Sequence, residues 1–274
     1  MNTSRMFTVL RTDLKQLRQS RDFWIPMLIL AGLFFIVFPT ILLLAVERAG
    51  QIDLVRQIGE TLDVLPRQVQ EAVQGDTPEV RAQYAMAVYL FAPLAVVVPL
   101  TISTAIGANT IVGERERGTG EFLAHSPASE REIYIGKLIA SILPGYAATL
   151  VGFGIYALIV NTIVGPDVGG WFFPTPQWWV LMLWVVPPFI ALALSVVLRI
   201  SARVRSATAA QQASGLVTLP LILVAYGQSS GSLLGVGGGG FWIGLVAWIG
   251  AIWGLARGAR SVSRERLLGA DHRA

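Results

Sequence analysis

The chain has no cysteine in its 274 residues and only two histidines. Disulfides, thiolate metal sites and cysteine nucleophiles are therefore excluded. His125 and His272 stand far apart with no acidic partners at ligand spacing. That leaves no pattern for a metal site or a catalytic residue. Charge is scarce as well: Asp, Glu, Lys and Arg make up 14% of the residues, against about a quarter in a soluble domain. Basic residues are not gathered on any soluble face, so no nucleic-acid partner is expected. No ionisable residue sits in the middle of a long apolar run. This argues against a proton-coupled secondary transporter and against an intramembrane protease, which need such groups.

Apolar residues, 54% of the chain, are gathered into six runs at about 23–46, 84–112, 138–164, 178–198, 207–226 and 236–256. A bilayer crossing needs about 20 residues, so the expected fold is all-α and polytopic, one transmembrane domain over residues 1–274. The first run is too long and starts too late for a signal peptide, so it is expected to stay as a spanning helix. The fifth is diluted by Gln211, Gln212 and Ser214. Prolines inside the runs predict kinks rather than breaks. Ser103, Thr104, Asn109, Ser141, Asn161 and Ser195 are expected to bond mostly across helices.

The flanking charges predict an orientation. Every basic residue except Arg48, Arg56, Arg67 and Arg81 falls at the termini or in the second and fourth loops. By the positive-inside rule both termini are cytoplasmic. Residues 47–83 form an outer loop with two short amphipathic helices, which either caps the bundle or meets a partner. Asp76 with Glu79 reads as a capping box for the helix that follows. Before the first span, Phe7, Leu10, Leu14 and Leu17 recur at helical spacing among basic residues. The stripe predicts an interfacial amphipathic helix on the lipid bilayer; the alternative is a solvated extension of the first span. In the last run Gly250, Gly254 and Gly258 permit close packing, either within the chain or between subunits.

Residues 113–137 break the apolar pattern with "GERERGTGEFLAHSPASEREIYIGK". Glu114, Arg115, Glu116 and Arg117 are dense enough to require water or another protein around them. Gly118 and Thr119 break the second helix, and Thr119 can cap a short transverse helix with Glu121 near its start. Phe122 and Leu123 form its apolar knob and Pro127 ends it. Ser129 with Glu132 then makes a capping box for the third long helix. "REIYIGK" ends like a phosphate loop, but Arg131 replaces the first glycine and Leu138 the magnesium-binding hydroxyl, so no nucleotide site is encoded.

This segment closely resembles the signature of permease subunits of the ABC type-2 transporter family. Glu114, Glu116, Gly118, Thr119, Glu121, Leu123, Pro127, Gly136 and Lys137 match it in place, and Gly120 departs from the usual leucine. The resemblance implies a plasma- or inner-membrane permease, usually an exporter, that carries no cofactor and is not itself an enzyme. ATP would be bound by a separate cytoplasmic ABC ATPase subunit. It also implies a second permease, an identical copy or a sister chain. The short helix would be the coupling helix, placing Glu114, Arg115, Glu116, Arg117, Gly118, Thr119, Glu121, Phe122, Leu123 and Pro127 against the ATPase. A different expectation is a membrane-embedded sensor, immunity or interaction subunit that transports nothing and docks another partner through the same knob.

Overall fold

The computed structural model describes residues 2–49, 52–63, 67–116, 118–119, 121, 123, 125–204, 206–227 and 239–258. Apolar runs fold as helices because an α-helix satisfies its backbone hydrogen bonds internally, which a bilayer demands. The described order is α1 (Thr3–Gln19), α2 (Phe23–Glu47), α3 (Ile52–Asp63), α4 (Arg67–Ala72), α5 (Pro78–Glu114), α6 (Glu130–Ile163), α7 (Pro176–Arg203), α8 (Ala207–Gly227) and α9 (Gly239–Gly258). No strand occurs among the described residues.

Five of these, α2, α5, α6, α7 and α9, are long and apolar enough to cross a membrane. The sixth expected run also folds as a helix, α8. Burial separates centre from periphery: the apolar windows of α5 and α7 are 72% and 67% buried, those of α2 and α9 only 22%. The central pair packs together, with α6, α8 and α9 around it.

Three of the prolines follow π-helical turns, whereas Pro26, Pro99 and Pro144 stand inside regular α-helix. Such turns occupy Leu33–Val37, Met86–Leu90 and Leu181–Val185, each shortly before Pro39, Pro93 or Pro187. Proline has no N–H to return to the preceding turn, so the ladder shifts register there. Carbonyls in two of these turns take donors from other helices. Tyr156 donates to Ala87 O at 2.6 Å, Trp178 Nε1 to Val88 O at 2.9 Å, and Tyr146 to Met182 O at 2.8 Å. Two of the three turns are thus fastened by aromatic side chains from neighbouring helices.

Several sequence expectations change in detail. Thr77, not Asp76, caps α5: its side chain accepts the Val80 N–H, with Pro78 in the first turn. Most buried hydroxyls and amides bond within their own helix, as Thr104 does to Leu100 O and Asn109 to Ala105 O. Ser103 Oγ has no protein partner. The pair Thr110–Ser141, 3.2 Å apart, does cross between helices. So does Ser201, which donates to Ala108 O at 2.6 Å. Asn161 instead holds the loop after α6, donating to Phe173 O and accepting from the Phe172 and Phe173 N–H groups. The α9 glycines pack inside the chain: a Cβ on Gly244 would lie 2.2 Å from Trp184, and one on Gly258 2.1 Å from Tyr134.

Candidate functional site

The charged segment runs between the ends of α5 and α6. Helical backbone runs on from α5 through Glu116, and Gly118 then takes φ +70°. An L side chain is strained in that left-handed region, so glycine suits the turn. Backbone bonds from Leu123 N–H to Thr119 O and from His125 N–H to Glu121 O then trace a helical turn. The capping box at Ser129 and Glu132 opens α6 as the sequence predicts.

Glu114 departs from its sequence reading. Four close charges imply water or a partner protein around them, yet Glu114 is buried. Lys137, 1% exposed, donates to Glu114 and to Asp13 of α1, 3.2 Å from each. A lysine enclosed this completely needs counter-charge close by. Its two carboxylates come from the first and fifth helices, far away in sequence. Thr119 is drawn into the same knot: its hydroxyl donates to the Glu114 carboxylate and carbonyl.

The first helix is fastened to this segment along its length. The Asn2 N–H donates to the Glu132 carboxylate, and the Arg5 guanidinium donates to Pro127 O at 2.7 Å. Met6 and Leu10 are buried, and Val9 and Leu17 pack on the core. Gly136 makes the contact close: a Cβ there would sit 3.0 Å from Val9 Cγ1 and 3.1 Å from Met6 O. The predicted stripe therefore divides, with Phe7 58% exposed, Leu10 buried, and Leu14 and Leu17 half-buried. The glycine and lysine that end the charged signature are the docking point of α1.

Of the other expected site residues, Glu116, Glu121, His125 and Pro127 are exposed. Leu123 is half-buried and packs against the core cluster, so this half of the expected knob turns toward the bundle. Phe122, Arg117 and Gly120 lie outside the described residues, as does the side chain of Arg115. Asp13 was missed by sequence reasoning. The available signal was a lysine at the mouth of an apolar helix, which needs an acid from elsewhere in the chain.

A cavity of about 880 Å³ opens beside the knot. Asp13, Gln16, Glu114, Thr119 and Lys137 line one end, and Phe23, Met27, Leu30, Ile102 and Ile106 line its sides, with Asn109 and Gln211 adding amides. It is lined by α1, the start of α2, α5, the start of α6 and Gln211 of α8. Among the described residues no group of His, Cys, Asp or Glu could hold a metal ion.

Comparison with known proteins identifies the architecture. The family described as ABC-2 family transporter protein matches the chain over residues 7–233, most of its length. No curated protein matches it.

Proposed function

The chain belongs to the ABC-2 transporter family, and we propose that it is the permease subunit of an ATP-driven exporter in the cell membrane, with both termini cytoplasmic. It holds no nucleotide site of its own in this reading. A separate ABC ATPase binds and hydrolyses ATP below the bundle, and a second permease, identical or sister, completes the path.

The observation that carries the coupling role is the Asp13–Lys137–Glu114 knot. It joins α1, the end of α5 and the start of α6 into one block, with Asn2–Glu132 and Arg5–Pro127 reinforcing it. A push on the intervening segment is then carried into two long helices instead of being absorbed by a loose loop. The partner meets this block at the exposed residues Glu116, Glu121, His125 and Pro127. Arg115, Arg117 and Phe122 belong to the same docking segment by sequence.

Exposed polar groups on α8 support a second permease. Thr208 and Gln212 are exposed outside the cavity. An amide facing lipid tails without a partner costs several kcal/mol. A second subunit or a water-lined path removes that cost.

Copurification from native membrane tests this reading. A stoichiometric cytoplasmic ATPase is expected, with hydrolysis absent from the isolated chain and ATP-driven efflux in vesicles carrying both subunits. Permease that purifies without an ATPase, or robust hydrolysis by the chain alone, overturns it.

A further inference from the structure

We propose that the cavity beside the charged knot binds an uncharged peptide, one with apolar side chains and with ends blocked or joined into a ring. As the assignment of a substrate class this rests on the transport reading above; the binding site itself stands on the lining of the cavity.

Polar and apolar groups run side by side along that lining. On α2, Phe23, Pro26, Met27 and Leu30 all border the space. Their spacing of three and four residues places them on one face of the helix, so they form a continuous apolar stripe. Other helices bring hydrogen-bonding groups: Gln16, Gln19 and Ser20 from the end of α1, Thr101 and Asn109 from α5, and Gln211 from α8. Along α5 the two kinds interleave, with Ile102, Ala105 and Ile106 between Thr101 and Asn109.

These polar groups keep capacity for a ligand. Among the described residues the side-chain amides of Gln16, Gln19 and Gln211 have no hydrogen-bond partner. Asn109 spends one N–H on Ala105 O at 3.1 Å, which leaves its second N–H and its carbonyl oxygen. Thr101 donates to Val97 O at 2.8 Å, and its oxygen can still accept. Each amide offers a donor beside an acceptor, as does each residue of a peptide backbone. A backbone leaving water needs both groups paired. The amides supply that pairing, and the α2 stripe takes the apolar side chains.

Size and charge narrow the class. At about 880 Å³ the space falls within the range of about 300–1,000 Å³ typical of small-molecule sites. Its lining on α5 runs from Thr101 to Glu114, about 20 Å at 1.5 Å per residue. That length holds about five or six extended residues at about 3.4 Å each. Charge is confined to the knot, where Lys137 already faces Asp13 and Glu114. The rest of the lining has no ionisable side chain, so a charged terminus there would lose its water without gaining a counter-charge. A saccharide is disfavoured because hydroxyls around its whole periphery would lack partners against the α2 stripe.

Photolabelling of the full chain in phosphatidylcholine nanodiscs tests the site. The probe is a leucine–alanine pentapeptide with photoleucine at its centre, acetylated at one end and amidated at the other. The same peptide with free ends and a diazirine-bearing octyl glucoside are the comparisons, with attachment points mapped by mass spectrometry. Saturable labelling by the blocked peptide is expected on fragments of α1, α2 and α5, at least tenfold above either comparison. Gln211→Met keeps the side-chain length and removes the amide, and should cut labelling at least threefold. Ala105→Phe, which fills the wall, should cut it at least tenfold. Stronger labelling by the glucoside or by the free-ended peptide, equal labelling by all three, labelling spread over the outer faces of α2 and α9, or full labelling in either variant overturns the proposal. ATPase retention is measured on the unsubstituted protein from the same membranes. If the ATPase is retained and labelling fails, only the cavity assignment falls. If labelling holds and no ATPase is found, the site stands and the transport reading falls.

Discussion

Replacing Lys137 by methionine removes the one ammonium that Asp13 and Glu114 share, while keeping most of the apolar volume. Unit charges 3.2 Å apart attract by about 5 kcal/mol at an effective dielectric near 20, before desolvation is counted. Removing one member of a buried pair typically costs about 3–5 kcal/mol, because the remaining charge is left enclosed. We expect Lys137→Met to fall in that range. Asp13→Asn should cost less, about 1.5–3 kcal/mol, the value of a hydrogen bond to a charged group, since the Asp13 side chain is 13% exposed and water can reach it. In the double variant Asp13→Asn should cost less than it does alone, since its bonds to Lys137 are already gone, giving a coupling of at least about 1 kcal/mol. The assay is equilibrium unfolding in mixed micelles titrated with dodecyl sulfate, read by fluorescence of the eight tryptophans. Additive effects, or a Lys137→Met cost below about 1 kcal/mol, would refute a knot that fastens α1 to α6.

The close approach at Gly136 predicts that Gly136→Val pushes α1 outward, because Met6 O is backbone and cannot swing away. We expect a loss of about 1–3 kcal/mol and faster tryptic cleavage at Arg11, Lys15 and Arg18; unchanged cleavage would contradict the docking. Two glycines of α9 should respond in opposite directions. Gly244→Ala meets Trp184 at 2.2 Å and should destabilise, whereas Gly250 has nothing nearer than 3.7 Å and Gly250→Ala should gain up to about 1 kcal/mol of helix propensity. Thermal unfolding in detergent compares them, and equal shifts would count against intrachain packing. A cysteine at Gln74 should react with an impermeant thiol reagent in intact cells and one at His125 should not, the native chain offering no background. The reverse pattern would invert the orientation.

Helix positions were legible in the sequence because both membrane insertion and capping are local. A run of about 20 apolar residues specifies a spanning helix without reference to other parts of the chain. Ser129 and Glu132 are three residues apart, so their capping box could be read directly, and it formed as read. The family signature was legible for the same reason, as a contiguous string. Where the cap lay one residue away, at Thr77, the preceding Asp76 was chemically just as suitable, and only the backbone conformation separates the two.

Pairing between helices was not legible. Period 3.6 shows that Leu10 and Phe7 share an amphipathic helix, but not that one meets protein and the other stays exposed. The α9 glycines permitted either a subunit contact or an internal one until Trp184, Ser195 and Tyr134 were placed against them. Glu114 looked like one of four solvated charges, and Asp13 like one acid in a basic stretch. They become a site only because α1 folds back across α6 and brings Asp13 to Lys137, 124 residues away in sequence. Local chemistry set which segments became helices, while the choice of partner for each buried charge depended on how those helices crossed, since a buried ammonium is stabilised by whichever carboxylates the packing brings within a few ångströms.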